Sequence, residues 1–132
     1  MQENLLQFIW EQGYFNRQDL RTHQGDRIEV LSPGLRNENQ GPDFLQARLR
    51  IGSTEWVGNV ELHLQTADWL RHGHQHDTRY QNLVLHVVWQ HQGTAPGNIP
   101  VLELKGRVPG FLLDTYAGWM NQPSSIPCAG SI

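Results

Sequence analysis

The chain is poor in several things at once. Of its 132 residues one is cysteine and one is lysine, and no apolar stretch approaches the roughly 20 residues that a membrane-spanning helix needs. A lone Cys128 excludes an internal disulfide and a paired-cysteine zinc site. The N-terminal stretch MQENLLQFIWEQG lacks the basic start, long apolar run and small-residue cleavage site of a secretory signal, so a soluble, cytoplasmic protein with no membrane association is expected. An excess of cations is missing too. The formal net charge of -3 excludes a surface tuned throughout to polyanions, although nearly all the cations are arginines, which suit fork-like contacts to phosphate or carboxylate in a local groove.

What is present points to one packed domain. Five tryptophans and 38% hydrophobic residues are ample for a core, and the length suits a single domain. Leu5, Leu6, Phe8 and Ile9 make a helical stripe in ENLLQFIWEQ, with Gly13 placed to end it. LRTHQGDRIEVL reads as a small hairpin about Gln24-Gly25, and LRNENQGP (35 to 42) as a polar loop. Thr66 is a candidate N-cap for a short helix ADWLRH. LVLHVVW (83 to 89) has the continuous branched pattern of a strand buried on both faces, and IPVLELKG (99 to 106) reads as another strand. Helix, strands, helical crossover and strand imply an α/β (α+β) mixed sheet with flanking helices. We place its core in residues 1–110, with a C-terminal helix and irregular tail over 111–132 that lead toward further chain.

The segment GPDFLQARLRIGSTEWVGNVELH carries the chemistry. Leu45, Ala47, Leu49 and Ile51 alternate with Gln46, Arg48 and Arg50. In the following run Trp56, Val60, Leu62 and Leu64 share one face, while Glu55, Asn59, Glu61, His63 and Gln65 share the other. A two-residue Gly52-Ser53 turn pairs Ile51 with Thr54 and sets Asp43 opposite Leu62, diagonal to Glu61 and His63; a bulge at Gly58 shifts this by one position. Two carboxylates at the open end of a hairpin suit a hard divalent cation, which prefers oxygen ligands. The same alternation also describes a half-exposed strand with Glu61 and His63 in water.

Pro42-Asp43 followed by a hairpin and Glu61-Leu62-His63 resembles the active-site core of the PD-(D/E)xK nuclease superfamily, the restriction-endonuclease-like fold. The blocks Gly41–Phe44, Gly58–His63, Asp68–His74 and Leu85–Trp89 also resemble the N-terminal part of an uncharacterised bacterial family. The nuclease resemblance implies Mg²⁺ or Mn²⁺ held by Asp43, Glu61 and the Leu62 carbonyl, a catalytic group of Asp43, Glu61 and His63, and nucleic acid as the partner. His63 stands where the motif usually has lysine, as a base or orienter of water. Asn39, Gln65 and Asp77 are expected to support these residues, and Arg48 and Arg50 to contact phosphate. Glu3 and Glu11 are candidates for an extra carboxylate.

Three rival features stand beside this reading. His72, His74 and His76 alternate as zinc ligands do, without the fourth ligand such sites usually draw. Glu103-Leu104-Lys105 repeats the acid-x-Lys form with no acid-bearing strand before it at hairpin distance. His86, inside an apolar run, reads as a hydrogen-bonded core histidine. The functional expectation is a divalent-metal-dependent phosphodiesterase. The alternative is a noncatalytic nucleic-acid or protein binding module on the same fold.

Overall fold

In the computed structural model, which describes residues 1–71, 81–93 and 98–120, the stripe on the first helix becomes its buried face. Helix α1 (Glu3–Gln12) buries Leu5, Leu6, Phe8, Ile9 and Trp10. Gly13 ends it at φ 70°, and the Tyr14 N–H returns to the Ile9 carbonyl at 3.0 Å.

Among the described residues the sheet has six strands, β1 (Ile28–Ser32), β2 (Leu35–Arg36), β3 (Phe44–Ile51), β4 (Thr54–Gln65), β5 (Leu83–Gln90) and β6 (Val101–Glu103). Its order is β1-β3-β4-β5-β6, with β2 also paired to β3. The pairs from β1 through β4 are antiparallel, while β4, β5 and β6 run parallel. Short helix α2 (Asp68–Arg71) begins the β4-to-β5 crossover, and α3 (Gly110–Met120) follows the sheet. The fold is therefore mixed α+β with flanking helices, as the order of patterns implied. None of the described helices is long and apolar enough to cross a membrane.

Several local expectations are corrected. The segment read as polar loop contains β2, where Leu35 pairs with Leu45 and Arg36 with Phe44. The small hairpin shrinks to one bridge, Arg21 to Arg27, because β1 pairs with β3 instead. At the entry to α2 the Thr66 hydroxyl lies 2.6 Å from His91 Nδ1, and Asp68 Oδ2 accepts the Gln65 N–H at 3.0 Å. The last strand is trimmed to three residues, and α3 starts at Gly110 with Leu112 and Leu113 packed on the core.

The decisive correction lies in the β3–β4 hairpin. Its register starts as read, with Ile51 opposite Thr54 and Ala47 opposite Gly58, and then slips so that Phe44 faces Val60. The extra residue belongs to β3, where Gln46 takes φ 60°, and not to Gly58. Phe44 and Ala47 are both fully buried. Three positions apart on a regular strand they would point to opposite faces, and the bulge returns both to the core. Leu45 is accordingly only half-buried. Trp56, assigned to the core face, is 49% exposed near the hairpin tip.

Candidate functional site

The bulge moves Asp43 from opposite Leu62 to opposite Glu61. Asn37 fixes the approach: its backbone N–H donates to the Asp43 carbonyl at 2.9 Å, and its Nδ2 donates to the Pro42 carbonyl at 2.8 Å. The Asp43 N–H then donates to Glu61 Oε1 at 3.2 Å, and the Leu62 N–H donates to Asp43 Oδ2 at 2.8 Å. Leu62 thus meets Asp43 through its amide. The other Asp43 oxygen, Oδ1, accepts Gln7 Nε2 from α1 at 3.0 Å. Arg36 in turn donates to Gln7 Oε1 at 3.2 Å and pairs with Glu11 at 3.1 Å. Because a guanidinium only donates, it fixes which end of the Gln7 amide faces Asp43.

Burial turns this proximity into a strong electrostatic effect. Glu61 is 3% exposed. Desolvation, then the hydrogen bond with Asp43 and the charge of Asp43, push its pKa up to about 10, with a smaller push from Glu3. At neutral pH the pair therefore holds a proton at Glu61. The two helix acids separate here: Glu3 acts on Glu61, while Glu11 is committed to Arg36.

His63 is buried as well, at 1% exposure, so the face expected to be in water is closed. Its Nε2 lies 3.6 Å from Glu61 Oε2, and its Nδ1 lies 2.8 Å from His86 Nε2. His86, fully buried, is a hydrogen-bonded core histidine, and its Nε2 meets the His63 imidazole. Trp69 from α2 meets His63 edge-on, with ring centroids 6.4 Å apart. The polar chain Asp43, Glu61, His63, His86 thus runs from the half-buried hairpin end into the core.

The other expected residues divide. Gln65 lies further along β4 and bonds Asp68 through its backbone. Asn39 is exposed and donates its backbone N–H to Asn37 Oδ1 at 3.1 Å, so Asn37 organises the loop where Asn39 was expected to serve. Arg48 and Arg50 are not beside the acids. They pair with Glu55 and Glu29 and, at the usual strand rise, stand roughly 15 to 23 Å along β3 from Asp43. Arg36 is the arginine linked to the acid pair. Glu103 is exposed on a strand parallel to β5, opposite Val88, with no acid across from it. His72, His74, His76 and Asp77 lie outside the described residues. Among the described residues no three His, Cys, Asp or Glu side chains are grouped to hold a metal ion.

Gln7, Arg36 and Asn37 escaped the sequence reading. Gln7 shares a helical side with Glu3, one turn away, and that spacing was its only trace. The family model described as "Protein of unknown function (DUF2851)" matches residues 3–132. The chain belongs to the DUF2851 family. No curated protein and no solved structure matches this DUF2851 chain.

Proposed function

We propose that Asp43 and Glu61 hold a divalent cation, Mg²⁺ or Mn²⁺, and that the protein is a nuclease-like hydrolase of nucleic-acid phosphodiesters on a fold resembling the PD-(D/E)xK superfamily. One observation carries this reading: two carboxyl groups from neighbouring strands meet in so confined a place that one stays protonated with a pKa of about 10. Such a pair takes either a proton or a cation. The donor set fits, since Asp43 and Glu61 supply hard oxygens, and a cation with two carboxylates commonly completes its shell from backbone carbonyl and water.

The chain's own residues have separable tasks. Gln7 and the Leu62 N–H aim the two Asp43 oxygens, and Glu61 gives up its proton as the cation enters. His63 backs Glu61 from inside the sheet, where His86 holds the imidazole. A bound divalent ion would lower the pKa of its water and offset charge on phosphate.

A second reading, a noncatalytic nucleic-acid or protein binding module, draws support from the burial of His63. An imidazole at 1% exposure, paired on both sides, does not reach a water in the way a lysine at that position is expected to. Thermal shift with Mn²⁺ for the natural chain and Asp43→Ala, run beside cleavage of single- and double-stranded DNA and RNA, tests both. Stabilisation lost in Asp43→Ala together with cleavage supports the hydrolase. Metal binding without cleavage supports the module, and no Mn²⁺ response overturns the metal site.

A further inference from the structure

At the far end of the hairpin from Asp43 lies a cleft with a cavity volume of about 490 Å³, within the range of small-molecule sites. It is walled by the hairpin tip, the start of β5 and the approach to β6. Trp56 lines it with half its surface in water, whereas Trp10 and Trp69 are buried. Leu83, Val84 and Pro100 add apolar wall, and among the described residues of the lining Asp26 is the charged one, with no lysine or arginine beside it.

The walls are firmly built. Asp26 is clamped by Thr22, a 4% exposed residue whose hydroxyl accepts the Asp26 N–H at 3.2 Å and whose N–H donates to the Asp26 carbonyl at 2.8 Å. The Arg27 carbonyl accepts the Gly52 N–H at 2.8 Å, tying that turn to the hairpin tip. Across the cleft the Asn82 carbonyl accepts the Asn59 N–H at 2.9 Å. A Cβ on Gly58 would stand 2.7 Å from the Asn82 carbonyl and 2.4 Å from Val84, so glycine is what lets this wall close in.

Charge selects the ligand. Three other exposed acids carry ion-pair partners, Asp19 with Arg21 and Arg27, Glu29 with Arg50, and Glu55 with Arg48. Among the described residues the Asp26 carboxylate has no ion-pair partner, because its neighbour Arg27 reaches Asp19 at 3.5 Å. A carboxylate and an open indole, with no cation among the described lining residues, disfavour phosphates and carboxylates, and they favour positive charge beside an apolar body, since an indole face attracts cations. We propose that this cleft is a binding site for a small organic cation, an ammonium carried on an apolar or aromatic group. The site is independent of the acid pair.

The test is a titration of the full chain with 2-phenylethylammonium, followed by amide NMR, with phenylacetate and 2-phenylethanol as matched anionic and neutral probes. The ammonium is expected to give saturable shifts around Gly52, Ser53 and Asn82 in the millimolar range or below, and Asp26→Asn to weaken it about tenfold. Trp56→Phe keeps an aromatic wall and should retain most of the affinity, while Trp56→Ala should lose it. The proposal is overturned if the alcohol or the acid binds as tightly, if Asp26→Asn has no effect, if saturation is absent at millimolar ligand, or if the shifts fall at Asp43 and Glu61 instead.

Discussion

The Asp43 and Glu61 side chains are interlocked through the backbone: Asp43 donates its amide N–H to Glu61 Oε1 at 3.2 Å, while Asp43 Oδ2 accepts the amide N–H of Leu62 at 2.8 Å. Each acid is thus held by the strand that carries the other. This crossing keeps two carboxyl groups close enough to share a proton.

The shared proton makes stability fall as pH rises. Glu61 titrates near 10 in the folded chain against 4.5 for the free side chain, so its stabilising contribution is complete below 4.5 and is lost as pH rises through about 10. Glu61→Gln keeps a donor toward Asp43 without the ionisation. It should flatten the pH profile and raise stability at pH 8 by roughly 2–4 kcal/mol, with near equality at pH 4. Urea denaturation across that range measures it.

Under the proposed metal reading the cation must displace this proton. Apparent Mn²⁺ affinity should therefore climb by up to about tenfold per pH unit through the neutral range, and buffer-dependent calorimetry should record close to one proton released. Gln7→Ala frees Asp43 Oδ1 from its donor and should weaken Mn²⁺ binding several-fold with little loss of stability.

The hairpin register rests on two residues with opposite requirements. Gly58→Ala drives a Cβ to 2.4 Å from Val84 Cγ1 and should cost about 1–3 kcal/mol of stability. Gln46→Gly relieves a left-handed side-chain residue at φ 60° and should stabilise by up to about 1 kcal/mol. Deleting Gln46 removes the extra residue, leaves Phe44 opposite Val60 and Asp43 opposite Glu61 on a regular strand, and should preserve any Mn²⁺ response. Chemical denaturation and thermal shift report these effects.

Replacing His86 by Leu withdraws the partner of His63 Nδ1 inside the core. A buried polar atom left without its partner costs about 1–3 kcal/mol, and Gln at this position should recover part of the loss. A change below 0.5 kcal/mol, within the range of ordinary surface substitutions, would contradict the buried chain of polar groups.

The helix from Glu3, the hairpin tip pairing Ile51 with Thr54, and the doubly buried β5 were all legible in the sequence, because each is written in side-chain alternation between near neighbours. Asp43 and Glu61 were legible as a pair for the same reason. Their contact, the burial of His63 and the role of Gln7 were not. Those depend on Phe44 and Ala47 both seeking the core, which forces a slip at Gln46, and on α1 and α2 packing against β4. Local periodicity specifies which residues a strand offers. Only packing between elements distant along the chain determines the register in which they meet and the water they lose.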